Sequence, residues 1–131
     1  MAIRVVRLGT ARVRDEGLRI GTVRRPPRGV RKAEYGRRDY YDVWLPELAP
    51  SAAVVSSARA DTWTPARWRR FVRLYHREMR EPGARHLIAT LAALSHQTNF
   101  SVGCYCADET LCHRSLLRGL LLDADAVVVD T

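Results

Sequence analysis

The spacing of apolar residues changes along the chain, and it predicts strands near both ends and helices in the middle. Residues 3–8 are rich in β-branched side chains and end at Gly9, which predicts a first strand. Residues 18–24 alternate apolar and polar side chains imperfectly, and we expect a second strand there. The segment 40–51 is dense in aromatic residues and prolines. We expect it to pack irregularly against the core, although its Tyr40, Tyr41 and Trp44 could instead stack on a base.

Two helices are predicted in the middle of the chain. Thr64-Pro65 marks the start of the first, because threonine is a good N-cap and proline is favoured at the first helical position. Apolar residues then recur at helical spacing, at Trp68, Phe71, Val72, Tyr75 and Met79. We expect Pro82-Gly83 to end this helix and a second one to cover about 84–95.

The last third of the chain predicts a strand, a turn, a helix and another strand. Residues 99–102 suit a strand, and leucines at 116, 117, 120 and 121 fall on one helical face. Residues 126–129 are continuously apolar, as in a strand buried on both faces, with Asp130 at its carboxyl end within reach of a ligand. The whole pattern predicts an α/β fold. We expect a single compact domain over residues 1–131, with a small, mostly parallel sheet and helices packed on it.

Positive charge is concentrated in the first third of the chain. Residues 1–40 contain 12 basic and 4 acidic residues, whereas residues 41–131 contain 10 of each. The whole net charge of +8 therefore belongs to the first 40 residues. Such a region suits a phosphorylated small molecule or nucleic acid as partner. Arginine outnumbers lysine 21 to 1, so a general preference for arginine on a solvated surface is the alternative explanation.

The segment 24–32 is predicted to be a stiff basic loop. Pro26 and Pro27 argue against regular structure, and Gly29 permits a sharp bend. A stiff loop can hold Arg24, Arg25 and Arg28 in fixed directions, which favours bidentate contacts with phosphate or carboxylate. A plain solvated linker is equally consistent with this composition.

All three cysteines lie within the twelve residues 103–114, at the predicted strand-to-helix turn. Ligands of open α/β sheets bind beyond the carboxyl ends of the strands, and a helix start offers unpaired N–H groups. We therefore expect the chemistry of the protein at this turn. The functional hypothesis requires the early arginine loop to fold over it.

Four interpretations of the turn remain open. Cys104, Cys106, Cys112 and His113 could form a metal site for zinc or iron, although neighbouring residues point in different directions on a helix and the common Cys-x-x-Cys spacing is absent. Thiol chemistry is the second, with Cys112 and His113 as the catalytic pair, because a helix start beside His113 and an arginine lowers a thiol pKa.

In the third interpretation the turn captures an anion, held by Arg24, Arg28 and Arg114, while the cysteines mainly pack. In the fourth the cysteines are simply small hydrophobic core residues. We expect a phosphorylated or nucleic-acid ligand to bind at the arginine loop beside the turn, and leave open whether thiol-dependent chemistry follows. A non-catalytic metal-binding or redox-sensing module is the alternative. Enzymatic activity and oligomeric state are left open.

Nothing in the sequence suggests a membrane. No apolar run exceeds four residues, and the first residues lack the long apolar stretch of a signal peptide. We expect a cytoplasmic protein with reduced cysteines.

Three motifs resemble the YeaO-like family, domain of unknown function 488, over nearly the whole chain. They are Arg24-x-x-Pro27-Arg28-Gly29-Val30, the run from Asp42-x-Trp44-Leu45 to Pro50-Ser51, and Gly103-Cys104-x-Cys106 with Cys112-His113-Arg114. Pro26 stands where this family usually has tryptophan. The resemblance implies a compact cytoplasmic α/β domain and no particular reaction. Because some branches keep the arginine motif without the cysteines, it also implies that the arginine loop is the shared site.

Overall fold

The centre of the fold is a four-stranded, all-parallel sheet in the computed structural model, which describes residues 1–58 and 63–129 (backbone alone at 56–58). The strands are β1 Ile3–Arg7, β2 Leu18–Gly21, β3 Val43–Trp44 and β4 Phe100–Cys104, in the order β1-β4-β2-β3. Every residue of β4 is buried, as its place between β1 and β2 requires. This architecture confirms the predicted α/β class.

Within the described residues, four helices pack with this sheet, namely α1 Ala52–Ala58, α2 Pro65–Met79, α3 Pro82–Leu94 and α4 His113–Asp123. Helix α2 begins as predicted, since the Thr64 hydroxyl oxygen accepts a hydrogen bond from the backbone N–H of Arg67 at 3.1 Å. Its inward face buries Phe71, Tyr75 and Met79. Among the helices that the structure describes, none combines the length and apolar character needed to cross a membrane.

Two predicted segments differ in the structure. Helix α2 ends at Met79, before Pro82 as expected, but Pro82 and Gly83 belong to the first turn of α3, which was predicted to begin at about residue 84. Residues 126–129 do not form a strand buried on both faces. They make a single parallel bridge, Ile3 with Val128, at the outer edge of β1, and Val127 is exposed. Asp130 lies outside the described residues.

A buried ion pair links the sheet to its preceding loops. Arg19 of β2 is fully buried and donates to both carboxylate oxygens of Glu16, at 2.8 and 3.0 Å. It also donates to the backbone carbonyls of Thr10 and Asp39, while Ser101 of β4 donates to Glu16 at 2.7 Å. One of the twelve early basic residues is therefore structural and contributes nothing to a binding surface.

Candidate functional site

The turn between β4 and α4 is built at the carboxyl edge of the sheet. Cys104 is the last residue of β4, and a 3-10 turn at Glu109–Leu111 leads to Cys112, the N-cap of α4. The Glu109 carboxylate accepts two hydrogen bonds from Arg118 of α4, at 2.9 and 3.1 Å. This bidentate pair fixes the turn against the helix that follows it.

The three thiols converge at this turn. Their Sγ atoms all lie within 4.8 Å of one another, and those of Cys104 and Cys106 are 3.7 Å apart. Cys104 and Cys112 are buried, whereas Cys106 is exposed. The fold thus brings together sulfur atoms that are up to eight residues apart in sequence, with one of them facing solvent.

Hydrogen bonds between the three thiols shift their pKa values. The pKa of Cys106 is lowered by hydrogen bonds first from Cys104 and then from Cys112, with a further contribution from the charge of Arg114. The same bond to Cys106 raises the pKa of Cys104, which stays protonated as a donor. The pKa of Cys112 is lowered by Cys104 and, more weakly, by His113. The pKa is therefore lowered at both Cys106 and Cys112, and of these two thiols Cys106 is the exposed one.

His113 is held in one orientation beneath the cluster. Its Nε2 lies 2.7 Å from the carbonyl oxygen of Thr22, which can only accept, so Nε2 carries the proton. Its Nδ1 then presents a lone pair 3.7 Å from Sγ of Cys112. Tyr75 packs against the imidazole with ring centroids 5.6 Å apart. The buried Cys112–His113 pair can therefore pass a proton between sulfur and nitrogen.

Arg114 lies under the turn rather than beside a cavity. It is 4% exposed, and its Nη2 donates to the carbonyl oxygen of Cys106 at 2.6 Å. Its Nε is buried and has no hydrogen-bond partner within the described part of the chain. The guanidinium of Arg114 thus holds the backbone at Cys106 through a hydrogen bond, and its positive charge stabilises the Cys106 thiolate.

A cavity of about 370 Å³ joins the arginine loop to the thiol turn. Its walls include Arg24 and Arg25 from the loop, all three cysteines with His113 from the turn, and Trp63 and Phe71 near and in α2. Arg24 is anchored by donating to the carbonyl oxygens of Pro50 and Ala49, at 3.1 and 3.4 Å. The two regions that the functional hypothesis requires to meet do form one cavity.

The other predicted site residues are placed differently. Arg28 does not line this cavity but a neighbouring one, with Tyr40, Tyr105 and Arg25. Tyr41 is buried, whereas Trp44 is 40% exposed and donates from its indole nitrogen to the carbonyl oxygen of Val23 at 2.7 Å. Neither ring lines these two cavities. The anion-binding set of Arg24, Arg28 and Arg114 is therefore spread over two cavities and the interior.

Sequence reasoning included Arg25 among the loop arginines but missed Trp63, Phe71 and Tyr105 as cavity residues. Tyr105 could have been included, because it lies between two of the cysteines in the sequence. In the structure its hydroxyl donates to the carbonyl oxygen of Arg25 at 2.9 Å. Trp63 and Phe71 gave no comparable signal, since an aromatic residue near a helix start or on an apolar helix face is usually a core residue.

A family model described as the active DUF488-N3 subclade matches residues 3–125. The chain belongs to this family. The match confirms the predicted relationship and includes the arginine loop, the 42–51 segment and the thiol turn. Comparison of this DUF488-N3 chain with curated proteins and with solved structures gave no match.

Proposed function

We propose that this DUF488-N3 protein binds a phosphorylated ligand between its arginine loop and its thiol turn and performs thiol-dependent chemistry on it. One observation carries the proposal: three thiols within 4.8 Å of one another share a cavity with two arginines. Its volume of about 370 Å³ suits a small-molecule site.

The arginines supply the affinity for phosphate. Arg24 uses Nε and Nη2 to bind backbone carbonyls, which fixes the guanidinium and leaves Nη1 for a ligand. Arg25 is exposed, and its side chain makes no hydrogen bond or ion pair within the described ranges 1–58 and 63–129. Guanidinium groups bind phosphate oxygens with charge-assisted hydrogen bonds, and a fixed one loses less entropy on binding.

Within the cluster, each thiol has a different role. Cys106 is exposed, and its sulfur accepts hydrogen bonds from the S–H groups of the other two cysteines. Its sulfur would therefore be the nucleophile. Its lone pair would attack the phosphorus of the ligand and form an S–P bond, while the P–O bond to the leaving group breaks and its electrons leave on that oxygen. Cys112 and His113 would supply the proton that the leaving group takes up, since His113 Nδ1 lies beside the Cys112 sulfur. Cys104 would remain a donor.

The test is alkylation by iodoacetamide, mapped by mass spectrometry at several pH values and repeated with inorganic phosphate. We expect Cys106 to react first, at pH values below the ordinary thiol pKa of about 8.5, and phosphate to slow the reaction. The double variant Arg24→Met/Arg25→Met should lose this protection, whereas Arg85→Met, with an exposed arginine on α3, should keep it. Equal, slow labelling of the three cysteines, or no protection by phosphate, would reject the proposal.

A metal site is the second candidate, favoured by the sulfur spacing. Zinc–sulfur bonds of about 2.3 Å in a tetrahedral site separate the sulfurs by about 3.8 Å, close to the 3.7 Å between Cys104 and Cys106. Thiolates of Cys104, Cys106 and Cys112 would suit zinc or iron, with the fourth position toward the cavity. His113 is not in this group of close ligand atoms among the described residues, although the hydrogen bond from its Nε2 to Thr22 leaves Nδ1 free to bind a metal.

Elemental analysis of protein purified without added metal tests this candidate. We expect about one zinc or iron per chain, and loss of that metal in Cys112→Ser. Protein without metal that retains rapid alkylation of Cys106 would exclude the metal site and leave the thiol mechanism.

A further inference from the structure

A second cavity adjoins the first along the arginine loop. Its walls come from Arg25, Pro26, Pro27 and Arg28 of the loop, together with Tyr40 and Tyr105. Arg25 and Tyr105 line both cavities, so the two are contiguous. The Tyr105 hydroxyl donates to the carbonyl oxygen of Arg25, which ties the loop to the thiol turn at the boundary between them.

Both cavities pair arginine with aromatic side chains. The first combines Arg24 with the half-buried Trp63, and the second combines Arg28 with the half-buried Tyr40 and Tyr105. The rings of Tyr40 and Tyr105 meet edge to face, with centroids 6.3 Å apart and planes at 70°. Rows of stacking surfaces beside cationic groups are typical of proteins that bind single-stranded nucleic acid. A lone phosphate would need only one such cavity.

Charge supports a ligand with several phosphates. Arg25, Arg28 and Arg31 are exposed, and their side chains have no ion-pair or hydrogen-bond partner among the residues that the structure describes. They lie in the third of the chain that carries the whole excess of positive charge. A row of unpaired guanidinium groups attracts a polyanion more strongly than a single anion.

We propose that single-stranded nucleic acid binds across both cavities, with adjacent nucleotides in each and Arg25 at the phosphate between them. This inference rests on the proposed function and specifies its ligand. The terminal nucleotide lies in the first cavity, beside Cys106, and the adjacent nucleotide lies in the second cavity, beside Arg28 and Tyr40. The strand must be unpaired, because stacking on side chains in a cavity requires bases that are not stacked in a duplex.

Fluorescence anisotropy with labelled oligothymidylates tests this. Thymidine monophosphate is measured by competition with the labelled octanucleotide. We expect the octanucleotide to bind about tenfold or more tightly, because each additional base stacked on an aromatic side chain adds binding free energy. Its affinity should fall steeply with salt. Arg28→Met should weaken octanucleotide binding several-fold and reduce the salt slope by about one, without changing monophosphate binding. The matched variant Arg85→Met, which removes an exposed charge from α3, should change neither.

The outcomes separate this inference from the proposed function. Equal affinity for the monophosphate and the octanucleotide would overturn the extended site while leaving phosphate binding intact. Tighter binding of a duplex than of the single strand would overturn it as well, as would equal effects of Arg28→Met and Arg85→Met. If neither thymidine monophosphate nor inorganic phosphate slows the alkylation of Cys106 by iodoacetamide, both proposals are rejected. Circular dichroism of each variant confirms that the comparison is between folded proteins.

Discussion

At the scale of single residues, the pairing of Cys112 with His113 depends on one backbone conformation. Neighbours on a helix point in different directions, which argued against joint action of these two side chains. Cys112, however, is the N-cap, with φ −133° and ψ 152°, and only His113 is helical. The extended backbone turns the thiol back toward the imidazole, so the Sγ–Nδ1 distance is 3.7 Å.

The order of reactivity among the thiols also follows from particular donors. Sequence reasoning favoured Cys112 as the reactive cysteine, because it lies at the start of a helix beside a histidine and an arginine. In the structure the pKa is lowered at Cys106 as well as at Cys112, and only Cys106 of the two is exposed. Contacts between the sulfur atoms therefore add a second candidate, and we propose that Cys106 reacts first.

Replacing Cys104 should therefore change the reactivity of Cys106. In Cys104→Ala the main S–H donor to Cys106 is lost, so the thiolate is less stable and its pKa rises. We expect the pH midpoint for alkylation of Cys106 to rise by about one unit or more. Cys104→Ser keeps an O–H donor at the same position and should show a smaller rise. An unchanged midpoint in Cys104→Ala would show that the thiol contact does not stabilise the charge.

At the scale of elements, the carboxyl end of β2 positions the histidine. Thr22 follows β2 directly, and its carbonyl oxygen accepts a hydrogen bond from Nε2 of His113. The residue before it, Gly21, is the last residue of β2. A Cβ at position 21 would lie 2.4 Å from the ring of Tyr41, which is buried in the same cluster as Cys104 and Cys112. The absence of a side chain at Gly21 therefore lets the ring pack against the strand.

Gly21→Ala should be destabilising for this reason. A rigid buried ring has to move to admit the methyl group, and overpacking of this kind typically costs about 1–3 kcal/mol. Gly119→Ala in α4 is the control, because an added Cβ there meets no atom within 4 Å and alanine favours a helix by up to about 1 kcal/mol. Urea unfolding measures both. Equal stability of the two variants would contradict the tight packing at β2.

At the scale of the whole molecule, the Arg19–Glu16 pair links segments that are far apart in sequence. Glu16 accepts from Arg19 of β2 and from Ser101 of β4, which are 3 and 85 residues away along the chain. Burial alone would raise the pKa of Glu16, but the hydrogen bonds from Arg19, Ser101 and the backbone of Val13 outweigh it, so the pKa is lowered. Folding therefore favours the ionised carboxylate.

This pair makes the fold sensitive to acid. Because the folded pKa of Glu16 is depressed, its contribution to the free energy of unfolding is present above the unfolded value of about 4.3 and is lost as pH falls through the folded value. Urea unfolding from pH 7 to pH 3 should show this loss. Glu16→Gln should be less stable at pH 7 and should lose less stability on acidification. Parallel curves for Glu16→Gln and the wild type would refute this role.

Local patterns predicted much of the fold, because they are encoded over a few residues. The cap at Thr64 and the proline at the start of α2 follow from hydrogen bonding within one turn, and the strand-to-helix turn follows from a switch in apolar period. The edge position of residues 126–129 could not be predicted in this way. A short apolar run does not reveal whether a strand lies on each side of it.

The sequence by itself determined the α/β class, the main elements, and the grouping of the three cysteines at one turn, since each depends on composition and spacing within a short segment. Tertiary structure alone decided that Arg24 and Arg25 share a cavity with the thiols, that Arg28 faces a second cavity, and that Arg19 and Arg114 are buried. It also decided which nitrogen of His113 faces Cys112, through a hydrogen bond to a residue 91 positions away. Such contacts arise only when distant segments pack together, and no local pattern encodes them.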